Sequence, residues 1–426
     1  MKEQLAINGG ARAKTTPNYD IFPGGSIIGE EEKKQVLEVL DRKYLFRYYG
    51  PDNFPSKVRE LENKWAKMAG SKYALATSSC TGALITACVA AGVGPGDEVI
   101  VAGHTYIASA YAVVVAKGIP VFSDIDEAFT MDIEDIKRKI NPSTKAIMPV
   151  HMRGAVCDMD SIMAIAKEHN LVVIEDCAQA TGATYKGKPV GTIGDVGCFS
   201  FQYYKTITAG EGGMIVTDDE YIYDRCQSYH DSAACWRSDR FAGQRYEGEL
   251  FCGANFRMSE ITGAIMLAQF DKLDPMLASM RKNHARITEQ IKDIKGIKLR
   301  ESHDPEGDTG ICLMFMLDSE GKAAEFAEAL KAEGVACEKY FDINIPDWHM
   351  FPHFTHIIEK KSASKEGCPW TCPYHKGPPV EYSKDMNPKT LDYLGRSVHI
   401  HIMPQMTDDD CDMVADAINK VARVLL

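Results

Sequence analysis

Two residues in this sequence have the types and spacing for covalent amine chemistry. The run Val172-Val-Ile-Glu-Asp-Cys-Ala-Gln179 brings an apolar, β-branched stretch to Asp176. Lys205 follows 29 residues later, inside Cys198-Phe-Ser-Phe-Gln-Tyr-Tyr-Lys-Thr-Ile-Thr-Ala-Gly-Glu-Gly-Gly213. A lysine amine forms a Schiff base with an aldehyde, and a carboxylate keeps a pyridine nitrogen protonated so that the ring withdraws electrons. The pair therefore meets the needs of pyridoxal 5'-phosphate. Each residue also has a plainer reading. Asp176 alone is as readily a strand end or a helix cap, and an isolated lysine is ordinarily on the surface. Lys205 is set apart by an aromatic, apolar run before it and by Gly210-Glu-Gly-Gly213 after it, which suits close approach of backbone to a ligand.

Two further segments complete the pattern. Thr77-Ser-Ser-Cys-Thr-Gly-Ala-Leu84 lies at a strand-to-helix transition, where hydroxyls and free amides at a helix start can cradle a phosphate. An ordinary Ser/Thr cap explains the same residues. Tyr106, after the Val99 strand, offers a ring that can stack on a flat cofactor, although an isolated aromatic is more often core.

These residues need a scaffold, and the hydrophobic pattern supplies one. Val99–Ala102, Val121–Asp124, Ala146–Val150, Val172–Glu175 and Gly213–Thr217 read as strands; Ile133–Ile140 and Met159–His169 have helical spacing. Alternation of this kind predicts a mainly parallel sheet covered on both faces, with ligands at the carboxyl ends of strands, where Asp176 falls. Met258 to Lys295 reads as one long helix leading to a smaller α/β layer. That layer has strands at Ile297–Leu299, Ile311–Leu317 and Ser397–Ile402 and helices at Gly321–Glu333 and Asp408–Leu425. Glu359 to Lys389, rich in Pro, Lys and Ser, reads as an extended loop.

Composition narrows the class. The chain of 426 residues is long enough for two cored domains, and 45% hydrophobic with 25% charged residues is globular. A formal charge of −12 argues against a nucleic-acid or acidic-membrane partner, since either needs a basic face. The amino-terminal residues lack an apolar signal core, and no run approaches about 20 apolar residues, so no membrane partner and a cytoplasmic location are expected. Thirteen cysteines, an odd number with many in apolar runs, point to free thiols.

Several motifs are decoys. Gly182-Ala-Thr-Tyr-Lys-Gly-Lys-Pro189 imitates a P-loop but has Pro189 where a magnesium-binding hydroxyl belongs, and a β-hairpin carrying Lys186 and Lys188 is expected. Gly92-Val-Gly-Pro-Gly96 lacks the dinucleotide-binding spacing. Cys368, Cys372 and His375, like His349, His353 and His356, offer metal-ligand types without a clear four-ligand pattern, so no metal is expected; their aromatic and proline neighbours suggest a loop folded over the active site. His399 and His401 share one face of a strand, facing core or substrate pocket.

Taken together, these residues resemble the DegT/DnrJ/StrS family of pyridoxal-phosphate-dependent sugar aminotransferases over nearly the whole chain. The resemblance implies an α/β, aspartate-aminotransferase-like fold (fold type I). A large, mainly parallel-sheet domain would span 1–280, including the amino-terminal segment and linking helix, and a smaller α/β domain 281–426. It implies that Lys205 forms the Schiff base, Asp176 pairs with the pyridine nitrogen, Gln179 hydrogen-bonds the cofactor hydroxyl and Tyr106 stacks on the ring. Thr81, Ser200 and the amides around Cys80 would hold the phosphate. Asn255, in Gly253-Ala-Asn-Phe-Arg-Met258, matches an asparagine that reaches the phosphate from the neighbouring subunit, implying a homodimer with shared sites.

The implied activity moves an amino group from glutamate or glutamine, through pyridoxamine phosphate, to a keto- or aldehydo-sugar. A sugar dehydratase on the same scaffold, whose known examples carry His at the lysine position, and a non-catalytic carbohydrate-binding protein are the alternatives. Phe46-Arg-Tyr48, Val150-His-Met152, Lys205-Thr-Ile-Thr208 and Asp304-Pro-Glu-Gly-Asp308 resemble members acting on an octulosonate-type sugar acid; Cys368-Pro-Trp-Thr-Cys-Pro-Tyr-His375 falls outside that pattern. Two departures stand out. Cys80-Thr81 replaces the usual Gly-Thr, and His151-Met-Arg-Gly154 replaces a common His-Leu-Tyr-Gly, leaving Arg153 as either a substrate contact or a surface charge. Tyr44 to Tyr49, Phe341 to Phe354 and Glu359 to Lys389 are expected to shape the choice of sugar.

Overall fold

The computed structural model describes residues 4–48, 55–236 and 241–426; Tyr49 and the first three residues lie outside them. Seven strands form the larger sheet: β1 (Tyr73–Thr77), β2 (Glu98–Ala102), β3 (Ile119–Ser123), β4 (Thr144–Met148), β5 (Val172–Asp176), β6 (Val196–Ser200) and β7 (Gly213–Thr217). Their spatial order is β1-β7-β6-β5-β4-β2-β3. All neighbours are parallel except the two pairs made by β7. β2, β6 and β7 are buried at every position, as a sheet covered on both faces requires.

Short polar caps fix where the covering helices begin. Ser79, Asp132 and Asp158 accept hydrogen bonds from first-turn amides of the helices Cys80–Ala90, Ile133–Lys139 and Met159–His169. Beneath the sheet, fully buried Trp65 lies 5.0–5.2 Å, ring centre to ring centre, from Phe201 and Phe199. This anchors the strand that leads to Lys205.

The smaller sheet comprises β8 (Lys298–Leu299), β9 (Cys312–Met316), β10 (Glu338–Lys339) and β11 (Ser397–His401), all antiparallel in the order β8-β9-β11-β10. The helices Glu320–Ala332 and Asp408–Leu425 pack with it. Phe315, Phe326 and Ile418 belong to the same buried cluster as Trp65 and Phe199, so the apolar core runs continuously between the sheets. The amino-terminal segment crosses to this layer: the Ala6 and Ala13 amides donate to the Glu333 carboxylate at 2.8 and 2.9 Å, and the Thr16 and Tyr19 hydroxyls donate to Asp410.

The structure corrects two expectations. Met258 to Lys295 is not one helix but two, Glu260–Phe270 and Leu273–Ile291. At the break the Lys272 amide donates to Gln269, three residues back, while its Nζ is drawn to Glu32 at 2.7 Å and to the Ile27 carbonyl. The Glu359–Lys389 loop does not fold over the site in this chain. Tyr382 donates to the Pro120 carbonyl (2.6 Å), and the Lys376 and Gly377 amides donate to Ser143 Oγ, so the loop lies at the starts of β3 and β4, opposite the strands' carboxyl ends. Its aromatic residues find apolar cover there: Tyr382 packs against Phe122, and Trp370 and Tyr382 pack on the cluster that holds Phe354.

Thr184–Tyr185 and Lys188–Pro189 pair as the expected hairpin. All thirteen cysteines are free. Among the described residues no helix is long and apolar enough to cross a membrane.

Candidate active site

A cavity of about 930 Å³ opens at the carboxyl ends of the parallel strands and extends to the smaller sheet. Cys80, Thr81, Tyr106, Asp176, Gln179, Ser200 and Lys205 all line it. Asn255 does not; it is exposed, forms a bridge with Asp231, and its side-chain oxygen accepts from the Arg257 amide.

Asp176 ends β5 and is buried. Its Oδ2 accepts from the Ser109 hydroxyl at 2.7 Å and its Oδ1 from the Ala178 amide at 3.0 Å. Burial raises its pKa above the ordinary carboxylate value, outweighing the Ser109 and Ala178 hydrogen bonds and nearby Lys205, all of which lower it. Lys205 sits in the loop between β6 and β7. The loop's base is closed by pairing of the Phe201 amide with Gly212 O and of the Ala209 amide with Phe201 O, and its crossing by the Thr208 hydroxyl, which donates to Phe201 O. The dense surroundings lower the pKa of Lys205, partly offset by Cys80 and Asp176. Its Nζ makes no hydrogen bond or ion pair among the described residues, so the amine is available to react.

At the helix start after β1, Ser79 Oγ accepts from the Gly82 amide at 3.0 Å. The amides of Cys80 and Thr81, in the first turn, have no acceptor within the helix. The Cys80 departure is absorbed by the core, since its side chain joins the buried cluster with Leu84 and Cys198. An exposed Thr81 hydroxyl and Ser200 complete a set that can bind an anion. The Tyr106 ring flanks the cavity 5.3 Å from that of His349.

The smaller sheet contributes residues that sequence reasoning left unassigned, Glu338, Lys339 and Tyr340, while Asp347 and His349 come from the segment expected to shape the choice of sugar. Part of the Phe341–Phe354 segment thus lines the cavity. Ser109 was also missed, and its signal was slight: a small hydroxyl residue three positions after Tyr106. His401 lines the cavity and packs edge-on against buried His399 at 4.4 Å. His349, His353 and His356 are engaged separately, with Asp347, with the Asp347 amide and with Tyr111. His375 bonds Glu98.

A half-buried lysine amine, a buried carboxylate and an anion cradle facing one cavity can together hold and activate a phosphorylated carbonyl compound. Comparison with known proteins points the same way. Residues 26–372 match the model of the DegT/DnrJ/EryC1/StrS aminotransferase family. The spore coat polysaccharide biosynthesis protein SpsC of Bacillus subtilis (strain 168) is 34% identical over 407 residues, covering 93% of this chain and 96% of its own length. The GDP-perosamine synthase of Escherichia coli O157:H7 is 42% identical over 258 residues, 60% of this chain and 67% of its own. The solved aminotransferase from Psychrobacter cryohalolentis superposes with a TM-score of 0.76 at 30% identity, covering 93% of this chain and 98% of that one.

Proposed function

The chain belongs to the DegT/DnrJ/EryC1/StrS aminotransferase family and has an α/β, aspartate-aminotransferase-like architecture of fold type I; from that premise we propose that it moves an amino group from glutamate or glutamine to a keto- or aldehydo-sugar, with pyridoxal 5'-phosphate as cofactor. The observation that carries this reading is the amine of Lys205, without a hydrogen-bond or ion-pair partner among the described residues, in the same cavity as the buried carboxylate of Asp176. The sugar assignment draws on the relative named as a GDP-perosamine synthase. An octulosonate-type acid is our choice within that class, on the sequence features around Phe46, His151, Thr206 and Asp304.

The residues present fit the cofactor. Thr81, Ser200 and the amides at the start of the Cys80–Ala90 helix would hold its phosphate, Tyr106 its ring face, Gln179 its hydroxyl and Asp176 its ring nitrogen. When bound, pyridoxal phosphate supplies an aldehyde that exchanges amines and a ring that withdraws electrons. Asp176, fixed by Ser109 and the Ala178 amide, is an ionic acceptor for a protonated ring nitrogen. Lys205 Nζ, with its basicity lowered by burial, takes the proton from the donor α-carbon as a base and returns a proton as an acid.

We further propose residues 1–280 and 281–426 as its two domains, a cytoplasmic location, and a homodimer in which Asn255 serves the partner's site. Exposed Leu37, Leu40, Leu45 and Tyr204 support the dimer as apolar surface for a second copy to cover.

The test is the visible spectrum of the purified, cofactor-reconstituted protein before and after L-glutamate or L-glutamine. Conversion of the cofactor band to the pyridoxamine form in the wild type, and no turnover with Lys205→Ala, is the expected result. Steady-state activity persisting in Lys205→Ala would overturn the assignment.

A further inference from the structure

Arg153 is held in an unusual backbone conformation at the cavity wall. In the Met152–Gly154 turn after β4 it has φ 53° and ψ 36°, the left-handed region that a residue with a Cβ takes up where its surroundings enforce it. Those surroundings are well defined. Its amide donates to Gln179 Oε1 at 3.3 Å, and its carbonyl accepts from Arg300 and from the Cys312 thiol, each at 3.4 Å.

The side chain is aimed by a short relay. His104 Nδ1 faces the Phe129 carbonyl at 3.1 Å and so carries the hydrogen; Nε2 is then the acceptor for the Tyr340 hydroxyl at 2.7 Å. That leaves the Tyr340 oxygen to accept from Arg153 Nε at 3.2 Å. The network sets this tautomer, and burial keeps His104 neutral by lowering its pKa to about 3.

Of the three guanidinium nitrogens, which carry five N–H donors, only Nε makes a hydrogen bond within the described residues. Glu338 and Asp347 feel the charge without reaching ion-pair distance, and Asp347 is hydrogen-bonded to His349. The lysines of the facing smaller-sheet wall are satisfied: Lys331 pairs with Glu328, and Lys339 with Glu320 and Asp342. Arg153 is half-buried, and an arginine drawn out of water ordinarily comes with an anionic partner. Arg153 shares its cavity with Lys205 and is close enough to lower that amine's basicity, so an anion bound to it would lie in the reaction chamber.

We propose that Arg153 is a specificity-determining residue that receives a carboxylate of the substrate, the planar group a guanidinium grips with two parallel hydrogen bonds. The inference rests on the aminotransferase reading above. The amino donor and an acidic sugar both carry such a carboxylate, and the two are separable by experiment.

The test measures calorimetric binding of 3-deoxy-octulosonate and of its methyl ester to the cofactor-loaded wild type, Arg153→Gln and Arg153→Lys. Spectral titration with L-glutamate is run on the same preparations, and retention of the cofactor band checks that each variant is folded. The wild type is expected to prefer the acid to the ester by about 10- to 100-fold, the worth of a lost hydrogen bond to a charged group. Arg153→Gln should abolish the preference, and Arg153→Lys, with charge but no fork, should restore part of it. That result with unchanged glutamate titration assigns the carboxylate to the sugar. A comparable weakening of glutamate instead, with acid and ester bound alike, assigns it to the donor. Variants that leave both readouts unchanged, or weaken acid and ester equally, overturn the proposal. A wild type that takes up no cofactor strikes the aminotransferase reading, while its acid-over-ester preference still decides the role of Arg153.

Discussion

The Ser109 hydroxyl donates a 2.7 Å hydrogen bond to Asp176 Oδ2, tying the helix that follows the Tyr106 turn to the end of β5. The bond favours the ionised carboxylate, whereas burial opposes it more strongly, so the folded pKa of Asp176 stands above its unfolded value. The folded apoprotein therefore holds the Asp176 proton more tightly than the unfolded chain does. Stability is lost as pH rises from the unfolded pKa through the raised folded one, and the penalty is fully present above it.

Asp176→Asn should thus stabilise the apoprotein at pH 7 while destroying activity, the trade expected of a strained functional group. Thermal melts of the apoprotein should place the variant above the wild type at pH 7, with the gap closing as the pH falls through the carboxylate range. Ser109→Ala should retain the fold and weaken cofactor binding by about 10-fold or more, the cost of a lost bond to a charged group. Equal cofactor affinity would show that the bond does not support the carboxylate.

The approach to β1 depends on a buried ion pair. Arg47 meets Glu62 at 2.6 Å, and the other Glu62 oxygen accepts from the Ala76 amide at 2.8 Å. Burial works against the Arg47 charge, but Glu62, together with Tyr48 and Tyr223, more than offsets it and the pKa of the guanidinium rises. Glu62→Gln removes the counter-charge and leaves the cation buried, a loss of about 3–5 kcal/mol. Urea unfolding should show a lower midpoint with an unchanged slope.

Much of the candidate site is legible because its residues follow strands whose composition is plain. Val172-Val-Ile before Asp176, and the apolar runs ahead of Tyr106 and Lys205, announce buried strands, and a parallel sheet gathers their carboxyl ends in one place. The supporting contacts carry no such signal. Ser109 and Asp176 are 67 residues apart, and Arg153 and Tyr340 are 187 apart, so their meeting depends on how the sheets pack. The same holds for the break before Leu273. Apolar periodicity runs through it, and the ion pair with Glu32, 240 residues away, marks the interruption. The Pro-rich loop was recognisable as irregular, but its docking against Pro120 and Ser143 was not written in its composition.

Asn255 lies outside the cavity of its own chain, which makes its proposed role testable by mixing subunits. If the dimer shares its sites as proposed, Lys205→Ala and Asn255→Ala homodimers should each be impaired, the latter through cofactor retention. Equimolar refolding together should form hybrids with one intact site and restore about a quarter of wild-type turnover, as random pairing in a twofold dimer dictates. Activity no higher than the mean of the two variants would place Asn255 outside the partner's site.

The anion cradle also depends on a glycine whose role is steric. Gly213 opens β7 opposite Thr77, and a Cβ placed there would lie 2.6–2.7 Å from the Ser79 carbonyl group and the Cys80 amide nitrogen, all backbone atoms. Contacts that short cannot be relieved by turning a side chain, so Gly213→Ala must push the start of the Cys80–Ala90 helix away from β7. The amides of Cys80 and Thr81 would then lose their aim. We expect at least about a 10-fold loss of cofactor affinity, the cost of weakening a hydrogen bond to a charged phosphate. Inorganic phosphate should likewise lose its ability to compete with the cofactor, because it draws on the same amides. Pyridoxal without its phosphate should be bound equally by both proteins; a matching loss for that compound would locate the damage at the ring pocket rather than at the helix start.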